Sequence, residues 1–353
     1  MRSEEDIFAD LLGLCGSQGY VHALAILCFR DNFIRFRHEV KAEDIDHLFS
    51  RSRLIPTEIT TLIGLLIRKP IDFSHPGLEA IQGYIERTEA LLGELHQLLG
   101  AAMFSSILNG AKSEQRAGPD LTGAALREPI FYGGESAYGF QYRDLAEKKY
   151  KADDPWLLSR MGFSISDART VVAAVADVLD RKVGAAQRAL QSLPRKFWTM
   201  LPGFVFTAAE VAKQRGLAIS TVERVLNAFA LPPDDTNAAF TSLHAYNATR
   251  GTPLLRGQAG EYILFQQYSL FEALYESPFF WLNADKKYAP IALTNRGRFT
   301  ESFALERLAK VFGTGHVYAN VDVWKNKGEK LSEIDVLVLL ATAQWCFRGS
   351  RSG

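Results

Sequence analysis

The sequence predicts an α+β protein in which a mainly α-helical N-terminal region precedes a smaller, partial α/β core at the C-terminal end. Three observations carry that prediction. Apolar residues recur at helical spacing through the first third of the chain, two capping boxes follow each other closely near the middle, and the stretch from Arg296 parses as helix, strand, polar turn and strand.

Residues 1–108 read as a helical domain, in which TEITTLIGLLIRK from Thr57 and the stretch from Gly77 to Leu99 are separated by the turn-forming DFSHPG. From Asn109 to Thr122, NGAKSEQRAGPDLT is polar and contains glycine, which predicts an exposed loop and a boundary. Within 123–200, REPIFYGGESAYGFQYRD sets aromatic and aliphatic residues on both sides of Gly133 and Gly134, the pattern of a β-hairpin. A helix is expected after it from Ser166 to Leu193, where Pro194 stops it.

Residues 201–232 carry the two capping boxes, Thr207 with Glu210 and Ser220 with Glu223, on either side of Gly216. TAAEVAKQRGLAISTVERVLNAFAL is therefore expected to form a helix-turn-helix segment with Thr221, Arg224 and Asn227 on its polar face. No basic cluster surrounds it, so a scaffold or domain-docking role is preferred over DNA reading. Pro232, Pro233, Asp234 and Asp235 mark a linker that opens a mixed connecting region, 233–290. Within that region the segment from Gly260 to Tyr288 interleaves aromatics with aliphatics rather than with Lys or Arg, a core pattern and not a base-stacking platform.

Composition narrows the function classes only partly. Lys+Arg and Asp+Glu both number 40, so the chain has no overall electropositive excess for nucleic acid, and a local patch would have to supply it. Cys15, Cys28 and Cys346 lack the spacing of a zinc site or a disulfide framework, which fits a reducing cytoplasm. No signal peptide and no run of apolar residues long enough for a membrane span is evident, so a cytoplasmic protein without a membrane partner is expected. The histidines show no second histidine at helical spacing that would make a zinc face.

The chemistry concentrates in 291–353. In RGRFTESFALERLAKVF, Ala304, Leu308, Val311 and Phe312 make one apolar helix face, and Glu301 lies nearly two turns before Leu308, pointing where the core should be. Glu306 is rotated off that face and is expected in solvent or paired with a base such as Lys310. HVYANVDVW alternates like a half-buried strand, KNKGEK supplies the turn at Gly328, and EIDVLVLL is apolar on both faces after its first residues, as a central strand is. Asp335 enters that strand, where a carboxylate costs several kcal/mol unless compensated. A divalent cation shared with Glu301 would compensate it, and so would backbone amides or a salt bridge to Arg296 or Arg298.

A helix glutamate, a strand, a turn and then Glu-Ile-Asp leading an apolar strand resembles the nuclease-related domain, a branch of the PD-(D/E)XK restriction-endonuclease-like superfamily. The resemblance implies that Glu301 and Asp335 bind a metal, magnesium as a rule, which activates water for phosphodiester hydrolysis. It implies catalytic roles for Glu301 and Asp335, with Glu333 on the same strand face as an assistant. Nucleic acid is the implied partner, DNA ahead of RNA.

The sequence departs from that family in its tail. The family continues into a strand bearing Glu-x-Lys or Gln-x-Lys, whereas here the corresponding distance brings Arg348, Gly349 and Ser350 in ATAQWCFRGSRSG. The expectation is a truncated or frameshifted core with an aberrant tail. In one choice of codons, a single restored base rewrites Ala341 to Arg348 as Gly-Asp-Ser-Ala-Met-Val-Phe-Gln. The edge of the Glu333–Leu340 strand is then expected to be unpaired, and the chain to be a metal-dependent nuclease relative that is inactive in this form. A helix-turn-helix DNA-binding protein and a non-catalytic helical interaction module are the alternatives.

Overall fold

The computed structural model describes residues 2–32, 53–111, 123–133, 137–233, 235–340 and 343–347. The fold class is α+β with a helical N-terminal region. Among the described residues the chain opens with helices α1 (Glu4–Cys15), α2 (Tyr20–Asn32), α3 (Pro56–Leu66) and α4 (Leu78–Ala111). Ser3 starts α1 by accepting the Asp6 amide while the Asp6 carboxylate accepts the Ser3 amide. Pro56 opens α3, where a missing amide proton removes no helical bond. Leu11, Leu24, Ile59 and Leu62 are fully buried between these helices, but the helices do not close the core alone, because Met200, Phe204, Phe240 and Phe265 pack into it. The loop expected from Asn109 to Thr122 begins inside α4, and residues 112–122 lie outside the described part.

The β-hairpin expected around Gly133 and Gly134 is corrected by the structure. Helices α5 (Gly123–Tyr132) and α6 (Gly139–Tyr150) flank it, and residues 134–136 lie outside the described part. In α6, Tyr142, Ala146 and Tyr150 are buried at a spacing of four, a helical stripe that a short aromatic-rich segment does not distinguish from alternation. A short helix α7 (Asp154–Arg160) leads to α8 (Ile165–Ala189), which is capped by Ser164 and Asp167 and buries Ala168, Val172, Val175 and Leu179 in a second core.

Strand β1 (Val205–Phe206), helix α9 (Ala208–Arg215) and helix α10 (Ile219–Ala228) form the expected helix-turn-helix. Thr207 and Glu210 make their capping box as expected, and Gly216 ends α9 at φ +63°, a left-handed conformation that favours glycine. The second capping box, Ser220 with Glu223, does not form. Helix α10 starts at Ile219 after Ala218, so Ser220 already lies in its first turn. The left-handed Gly216, with the Leu217 amide donating to Ala212 O, turns the chain early enough to start α10 before Ser220.

The segment after Ala230 has little regular structure, yet it is tied to the N-terminal helices. Asn237 Nδ2 donates to Gly64 O at 2.9 Å and to Asn247 Oδ1 at 3.0 Å, and Asn247 Nδ2 donates to Thr60 O at 2.9 Å. Strands β2 (Leu255–Arg256) and β3 (Tyr262–Ile263) then complete an antiparallel sheet of order β1-β3-β2. The aromatic-rich stretch from Gly260 supplies core residues, with Tyr262, Leu264, Phe265, Leu270 and Leu274 buried.

Helices α11 (Gln267–Ala284) and α12 (Ala289–Phe312) lead to β4 (Val317–Asn326), β5 (Glu329–Leu340) and β6 (Ala343–Phe347), paired antiparallel in the order β4-β5-β6. The expectation that β5 has an unpaired edge is thereby corrected. The chain returns after Leu340, and β6 pairs from Leu340↔Ala343 to Val336↔Phe347. Among the described residues no single helix is long and apolar enough to cross a membrane, and α1 with α2 pass that test only as a pair bent by 105°.

Candidate functional site

The C-terminal sheet presents two chemically different faces. Val317, Val336 and Val338 are buried against Ala304, Leu305, Leu308, Ala309 and Phe312 of α12, so one face of the sheet is packed on that helix. Side chains alternate along a strand, which assigns Glu333, Asp335 and Leu337 to the opposite face. Glu301 belongs to the α12 stripe of Leu305, Leu308 and Phe312, by the helical period, and so to the helix side. The structure thus brings Glu333 and Asp335 onto one face and leaves Glu301 on the other side of the sheet. On this assignment Glu301 and Asp335 do not converge as the sequence leads one to expect. From Val336 onward EIDVLVLL is apolar at both parities, so that part of the strand does not reveal which parity α12 covers.

The outer face gathers two residues that the sequence reading passed over. Asp322 stands directly across from Glu333 in the β4–β5 register, and Lys330 Nζ reaches Asp322 Oδ1 at 2.5 Å and Glu333 Oε2 at 2.9 Å. The two carboxylates raise the Lys330 pKa above its ordinary value, the Asp322 bond contributing most. Alternation on β4 could have flagged Asp322, but the Lys330 contact depends on register shifts around Trp324 that no local pattern encodes. Asn320, flanked by the paired positions Ala319↔Val336 and Val321↔Ile334, has φ +52°. That left-handed residue distorts β4 beside Asp335, and asparagine tolerates it better than most side chains.

This donor set does not fit a magnesium ion shared by Glu301 and Asp335. The two lie on opposite faces, Lys330 already pairs with both Glu333 and Asp322, and no group of three or more His, Cys, Asp or Glu among the described residues could hold a metal. Glu306 behaves as its rotation predicts, pairing with Lys310 at 3.0 Å and with Lys148 at 3.3 Å, which hold its carboxyl below the usual range.

In the helix-turn-helix, the polar residues of α10 turn back onto the protein. An Arg224 guanidinium nitrogen donates to Gly162 O at 3.2 Å. Asn227 Oδ1 accepts from Arg256 at 2.9 Å and from the Tyr262 hydroxyl at 2.8 Å, which ties α10 to β2 and β3. Glu223 is exposed on the same helix, so the outward surface carries no excess of positive charge for a phosphate backbone. Comparison of the chain with protein-family models, with curated proteins and with solved structures finds no match.

Proposed function

We propose that this chain is a nucleic-acid-binding protein whose C-terminal unit resembles the nuclease-related branch of restriction-endonuclease-like enzymes and is catalytically silent. One observation carries the reading: helix α12 leads into an antiparallel β4-β5-β6 meander with Glu333 and Asp335 on its central strand. Silence follows from the chemistry of that strand. A hydrolytic metal site needs converging oxygen donors, and here the helix carboxylate is separated from Asp335 by the sheet while Lys330 occupies Glu333. The helix-turn-helix serves as scaffold in this reading, because Arg224 and Asn227 hold α10 to its neighbours. The free thiols of Cys15 and Cys28, both buried, accord with a reducing cytoplasm.

Titration of the full chain with fluorescent duplex and single-stranded oligonucleotides, in magnesium and in chelator, tests the reading. Saturable binding is expected under both conditions. The double variant Arg224→Ala, Asn227→Ala is expected to change affinity by less than tenfold, about 1.4 kcal/mol. It should lower folding stability by about 1–3 kcal/mol, since Arg256 and Tyr262 lose a shared acceptor. A larger loss of affinity would move recognition onto α10, and no binding to either oligonucleotide would favour a protein-interaction module.

A further inference from the structure

A second site lies away from the β5 face, in a groove of about 300 Å³ between α6 and α12. Lys148, Lys149 and Arg298 line it against a single lining carboxylate, Glu306, and Asn295 and Ser302 add polar groups. Glu306 already receives Lys148, Lys310 and Arg307. Nearby, Glu276 sits 3.7 Å from Lys149, and buried Asp153 accepts from Asn295 and Tyr288. Asp153 has its pKa raised, chiefly by burial.

The side chain of Lys149 is only 4% exposed, with Nζ donating to Tyr275 O at 3.0 Å and lying 3.6 Å from the Tyr275 ring centroid. Burial pulls its pKa down to about 8, and the charge of Arg296 acts in the same direction against the pull of Glu276. A positive charge held at that depth gains from a bound anion what it lacks from solvent. Arg298 is exposed at the rim, and its guanidinium has no ion pair among the described residues. Phe299 and Phe303, with ring centroids 5.8 Å apart, add apolar lining beside the cations.

We infer that this groove binds a phosphoryl group, with Arg298 and Lys148 as direct partners and Lys149 as the buried charge behind them. The inference stands apart from the nuclease-like reading, since it uses neither β5 nor Glu301. The phosphoryl group can belong to free phosphate or to the end of a nucleic acid, and the fit of a guanidinium to phosphate oxygens serves both.

Isothermal titration of the full chain with inorganic phosphate, at constant ionic strength set by chloride, tests the site directly. A saturable one-to-one isotherm is expected, weakened at least tenfold in Arg298→Ala and in Lys148→Ala, both of which change exposed side chains. Parallel titration with one oligonucleotide, with and without a 5′-phosphate, identifies the source. Tighter binding of the phosphorylated form that disappears in Arg298→Ala assigns the groove to a nucleic-acid end, and equal binding of both forms assigns it to free phosphate. Absence of a saturable phosphate isotherm, or an isotherm unchanged in both variants, overturns the inference whatever the outcome for nucleic acid.

Discussion

Phe204→Ala is expected to destabilise the protein by about 3–5 kcal/mol in urea unfolding, the range for an aromatic truncated inside a packed core. Phe204 is 0% exposed and its ring lies 5.3 Å from that of Phe265. Its carbonyl accepts the Leu264 amide at 3.1 Å, so the backbone around the new cavity is pinned and cannot collapse readily into it. The residue sits far along the chain from α1 to α4, yet it belongs to the core those helices form. A loss below about 1 kcal/mol would mean that the middle of the chain does not complete the N-terminal core.

Glu58→Gln is expected to stabilise the protein at pH 8.5 relative to the parent and to bring little or no gain near pH 4.5. Glu58 is 6% exposed on α3, and its Oε2 accepts the Ile55 amide at 3.0 Å. Burial pushes its carboxyl up from 4.5 to about 7, the Ile55 amide opposes the shift, and the charge of Asp31 adds to it. Between those values the folded state holds more protons than the unfolded state. The associated stability is therefore fully present below about pH 4.5 and is lost as the pH rises through about 7. The shift of 7 − 4.5 = 2.5 pH units corresponds to roughly 3 kcal/mol at most. Glutamine keeps an oxygen for the Ile55 amide and removes the charge, so the difference between variant and parent should open across that window. Equal effects at both pH values would show that Glu58 is not forced to ionise in a dry site.

The legible parts of the fold were those written in local periodicity. Ala304, Leu308 and Phe312 at helical spacing, and the alternation from Val317, led to a helix followed by an antiparallel strand pair, and α12, β4 and β5 form it. The Thr207 box was legible because a cap involves residues only three apart. Ser220 and Glu223 have the same spacing, but the position of α10 is set by the turn at Gly216, and that turn overrides the pattern. The segment around Gly133 and Gly134 is ambiguous in sequence, because aromatic residues flanking a Gly pair suit a hairpin as well as two helix ends.

The candidate site was legible in residue type and not in orientation. Glu333 and Asp335, two apart on a strand, share a face by alternation. Whether Glu301 joins them depends on which face α12 covers, a tertiary fact carried by the burial of Val336 and Val338. The phosphoryl groove left no sequence signal, since Lys148 and Lys149 lie far in the chain from Arg298 and meet it only when α6 packs beside α12.

The central claim, a nuclease-like unit that binds nucleic acid without cutting it, is tested most directly by product analysis. Purified full chain is incubated with labelled duplex and single-stranded DNA and RNA in magnesium, beside Asp335→Ala. Intact substrate is predicted in every lane, with parent and variant indistinguishable. Magnesium-dependent cleavage by the parent that is lost in Asp335→Ala would contradict it, because Asp335 would then hold a working metal despite the sheet that separates it from Glu301.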